Sequence, residues 1–170
     1  MYKIRFKTVR FVIIALLSLV FQTTLINIIS LGVIKPDLIL LLVIFFGLYN
    51  GIYRGVFCGI ILGFCVDSLS GGILGINSII LGAVGMMTGL LEDRVYRTHF
   101  LTKILVPFSG SIFSVTAYYI LAGNFYGLPA FSEHIGVIAG SVLYTTFLSL
   151  VFFNFLEKQT VLKQYTLQRN

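Results

Sequence analysis

Six apolar stretches, 9–31, 36–50, 53–69, 72–91, 101–123 and 134–156, follow one another along this chain with little between them. A spanning helix needs about 20 apolar residues and bonds its own backbone groups, so hydrocarbon is the solvent this pattern answers to. The chain therefore reads as all-α, a polytopic membrane protein of six transmembrane helices. Composition agrees, with 58% of 170 residues hydrophobic, 11% charged and a mean hydropathy of +1.00. A water-soluble domain carries about 25% charged residues, and that class is excluded. The stretches 36–50 and 53–69 are short for a span and are parted only by Asn50, Gly51 and Ile52. They fit two short spans or one re-entrant hairpin.

Charge placement favours the spans, because Lys and Arg stay on the cytoplasmic side in short loops. With six crossings, Lys3, Arg5, Lys7, Arg10, Arg54, Arg94, Arg97, Lys103, Lys158, Lys163 and Arg169 fall on one side, and Lys35 alone on the other. Both termini are then cytoplasmic. Basic residues lead into Phe11 to Val20 as in a signal peptide, yet the apolar run continues without a small-residue cleavage site. It reads as a retained first helix bearing the polar residues Gln22, Thr23, Thr24 and Asn27. Residues 157–170 form a short cytosolic tail, and 124–133, with Gly127 and Pro129, an outer turn at headgroup level. No repeat or second domain is visible, so residues 1–170 form one membrane domain. Cys58 and Cys65, seven residues apart on one helix, are too distant to bridge each other.

Four glycines, Gly51, Gly55, Gly59 and Gly63, step by four along the third stretch and lead to Asp67. They make one ribbon on a helix face. In lipid, helices gain nothing from hiding apolar surface, so small residues that let backbones approach supply the attraction. The fourth stretch carries a matching seam at Gly75, Ser78, Gly82, Gly85 and Gly89, at alternating steps of three and four. Internal packing of these two seams is the preferred reading over an external dimer face.

Asp67 is the lone acidic residue of its stretch. An intramembrane carboxylate is a functional candidate by default, but this one precedes a turn, Ser68 to Gly72, whose backbone donors can hold it. Asp37 follows Pro36 at the start of the second helix, where proline and a carboxylate both suit the first turn. Gln22, Thr24 and Asn27 belong against other helices or a cavity rather than lipid. His99 and His134 are solitary and lie at opposite faces, against a metal site or proton relay. No nucleotide-binding loop, zinc-protease motif or Ser/His/Asp arrangement appears. Neither the inverted repeats of a transporter nor a pore-lining ring is evident. These residues point to a non-catalytic module without cofactor, metal or nucleic-acid partner, surrounded by membrane lipid.

The run Ile34-Lys35-Pro36-Asp37-Leu38, followed by Gly59 to Asn77 with its Asp67-Ser68-Leu69-Ser70-Gly71 turn and Leu74-Gly75, resembles the rod shape-determining MreD family. The Gln22 and Thr24 pair, the Pro-Asp opening and the glycine-ribbed third helix extend the likeness over essentially the whole chain. Gln22, Thr24, Pro36, Asp37, Asp67, Ser70, Gly71 and Gly75 are the positions matching its pattern, none of them catalytic. The resemblance implies a scaffold in the bacterial plasma membrane, part of the cell-elongation complex. Its implied partners are the single-span MreC, the actin-like MreB, RodA and a class-B penicillin-binding protein. It also implies a six-helix fold similar to the substrate-binding S-component of vitamin transporters. An alternative of the transporter class is a vitamin-like ligand held in an outward pocket near Asp67 and Asn77.

Overall fold

The computed structural model describes residues 8–20, 22, 36–71, 73–92, 95, 99–126 and 135–167. Among them the secondary structure is all-helical, in six helices: α1 Thr8–Val20, α2 Leu38–Asn50, α3 Ile52–Ser70, α4 Ile76–Leu90, α5 Phe100–Tyr126 and α6 Ile135–Leu167. Among the described residues three stretches are long and apolar enough to cross a membrane, namely Ile52–Ser70, Phe100–Gly123 and Ile135–Leu156. α2 and α4 are apolar but shorter. At 1.5 Å per residue, 13 residues of α2 reach about 20 Å, against a hydrocarbon core of about 30 Å.

α2 occupies the centre and touches all five other helices. Its sequence explains the position. From Leu38 to Tyr49 it offers no polar side chain beyond one tyrosine hydroxyl, so it has no face suited to water or to a polar neighbour. Ile39 through Tyr49 are all buried. Phe45 stacks on Tyr49, with ring centroids 4.3 Å apart, and meets Phe153 of α6 edge-on at 5.6 Å. α3 and α4 form the closest pair, and α5 packs with α6. A smaller cluster, Ile76 and Ile80 of α4 with Ala117, Leu121 and Ala122 of α5, joins those two helices near their ends.

The α2–α3 connection is one residue long. Gly51 adopts φ 85°, its N–H bonds back to Gly47 O at 3.0 Å, and its own carbonyl accepts from Gly55 N at 2.9 Å. A side chain is strained at such a φ, so glycine is what lets one helix end and the next begin without a loop. α6 continues for eleven residues past its apolar stretch. The tail from 157 is thus helical to Leu167, because a turn added to an existing helix avoids the cost of nucleation.

Candidate functional site

The glycines of α3 and α4 face each other, in antiparallel register. A Cβ placed on Gly55 would stand 2.5 Å from Gly85 O; on Gly59, 2.5 Å from Leu81 C; on Gly63, 2.5 Å from Ser78 N. The reciprocal positions are as tight, with Gly85 facing Gly55 C and Gly89 facing Ile52 Cα, each at 2.5 Å. Backbone lies against backbone along the whole pair, so dispersion and weak Cα–H···O contacts act over its full length. Gly82 differs: its nearest neighbour is a side-chain atom, Ile60 Cγ1 at 3.1 Å, not backbone. Gly51 is the connecting residue described above, before α3 begins, and it faces the carboxylate of Glu92.

A third glycine enters from α2. Gly47 sits where a Cβ would meet Thr88 Oγ1 and lie 2.9 Å from Gly85 O, and its Cα is 2.8 Å from the corresponding point on Gly55. Three backbones therefore converge around Gly47, Gly55 and Gly85. Thr88 is tolerated there because its hydroxyl donates to Val84 O at 2.8 Å and to Gly85 O at 3.3 Å, within its own helix. Gly47 and Thr88 lie outside the two periodic seams, and the one sign of them in the sequence is a lone glycine in an otherwise bulky apolar run.

Asp67 is 2% exposed and caps α4 from the last turn of α3. Its Oδ2 accepts from Gly75 N at 2.8 Å and Ser78 N at 3.4 Å. Oδ1 accepts from Asn77 N at 3.2 Å and Asn77 Nδ2 at 2.8 Å. Three backbone donors that α4 cannot satisfy itself are met by a carboxylate lying at the helix's positive end. The ligand pocket expected near Asp67 and Asn77 meets a carboxylate whose two oxygens already take four donors, one of them from Asn77. Gly75, at φ 102° with open space around its Cα, is held to glycine by conformation and not by room. Gly71 ends α3 in the left-handed conformation, and Ser70, the last residue of α3, is exposed.

At the head of α2, Asp37 is the N-cap, its Oδ1 accepting from Leu40 N at 2.9 Å. Pro36 precedes the cap and is not inside the first turn, so the proline leads into the helix rather than starting it. Gln22 reaches the same place from the first stretch. Its Nε2 donates to Asp37 Oδ1 at 3.3 Å, and its Oε1 accepts from Ile39 N at 3.1 Å. Asp37 N–H in turn donates to Thr145 Oγ1 at 3.2 Å. Gln22, Asp37 and Thr145 thus tie three parts of the chain, and Thr145, absent from the sequence-derived set, stands near the middle of the apolar stretch Ile135–Leu156. Thr24 lies outside the described residues.

Lys103, grouped from the sequence with the flanking charges, is 7% exposed inside α5. Its Nζ donates to Asn154 Oδ1 at 2.8 Å, and its carbonyl accepts from Ser149 Oγ at 2.7 Å. A lysine stem long enough to reach a polar partner makes that burial tolerable.

Long apolar helices and a core closed by backbone contact define an all-helical membrane protein. The chain belongs to the MreD family: the model described as rod shape-determining protein MreD matches residues 3–159. Its role accordingly lies in rod shape determination. No curated protein and no solved structure matches the chain.

Proposed function

We propose that the protein is a non-catalytic scaffold of the bacterial cell-elongation complex, held in the plasma membrane as one domain with six spans and both ends in the cytoplasm. The family match over residues 3–159 is the observation that carries this reading. The rigid element is the bundle of α2, α3 and α4. Helices locked backbone to backbone cannot slide past one another without lifting apart, so a force or a shift applied at one end is passed to the other. Its lipid-facing side, including Tyr53, Phe57 and Phe64 of α3, is exposed. That side receives the membrane helix of an MreC-like single-span protein, and the assembly links a cytoplasmic MreB filament to RodA and a class-B penicillin-binding protein. Gln22 and Thr145 bind Asp37 at the head of α2, tying the first stretch and α6 to this bundle.

Co-purification in detergent tests the proposal. The tagged protein should retain an MreC-like protein encoded beside it, and its depletion should turn rods into spheres. Gly59→Leu and Gly63→Leu should each abolish recovery of the partner; retention by the double variant would overturn the packed-core mechanism. Rod shape persisting after depletion would overturn the scaffold itself.

A further inference from the structure

We draw no further inference here: the strongest candidate, the polar side-chain cluster of Gln22, Asp37 and Thr145 at the head of α2, is a helix N-terminus whose hydrogen bonds stay within the cluster, and nothing in the structure points to a ligand there.

Discussion

Asp67 and Gly75 separate two kinds of constraint on a single residue. At Asp67 the constraint is chemical: removing the carboxylate leaves three backbone N–H groups without their acceptor, in a place 2% exposed. Asp67→Ala should cost on the order of 3 kcal/mol, since bonds to a charged group count for more than neutral ones. Asp67→Asn, keeping one acceptor oxygen, should cost less. Thermal unfolding in micelles measures both, and an Asp67→Ala variant melting with the wild type would refute the capping role. It would also revive the ligand reading, because residues kept for binding commonly leave stability unchanged or raised when removed. At Gly75 the constraint is conformational. With φ at 102° and nothing within 4 Å of an added Cβ, Gly75→Ala should cost about 1–2 kcal/mol from strain alone. The sequence made Asp67 visible as a lone charge. Its backbone donors lie beyond the Ser68 to Gly72 turn, at Gly75, Asn77 and Ser78, because the helix that Asp67 serves begins nine residues later, at Ile76.

For elements, the α3–α4 pair offers a graded test within one seam. Gly55→Ala drives a Cβ to 2.5 Å from a carbonyl oxygen that cannot move without moving α4, so it should cost about 3 kcal/mol or prevent folding. Gly82→Ala meets no backbone, only Ile60 with Cγ1 at 3.1 Å and Cδ1 at 3.9 Å; this half-exposed side chain has to give by a few tenths of an ångström, so the change should cost about 1 kcal/mol, well below Gly55→Ala. Equal losses in an unfolding assay would contradict the backbone-to-backbone arrangement. The junction at α2 makes a second test, this time of coupling. Gln22 and Asp37 share one hydrogen bond and both serve the first turn of α2, so Gln22→Ala and Asp37→Ala should be non-additive by about 1 kcal/mol in a double-mutant cycle. The glycine ribbons were legible as periodic steps on two helices. Gly47 was not, for a single glycine has no period, and only the crossing of α2 over both seams gives it a reason.

The whole molecule is organised around a helix too short to cross a membrane comfortably, surrounded by the others. Orientation is the property to measure at this scale. A reporter fused after Asn170 should remain cytoplasmic, and one exposed outside the cell would reverse the topology and with it the assignment of the basic residues. The apolar solvent, the helical class, the two glycine seams and the family pattern are legible in the order of residues, because hydropathy and residue spacing are written locally along a chain. The central place of α2, the completion of the glycine contact by Gly47, the capping of α4 by Asp67 and the meeting of Thr145 with Asp37 emerge from the folded arrangement alone. Each of these depends on which distant segments meet, and a single glycine, threonine or carboxylate does not name its partner.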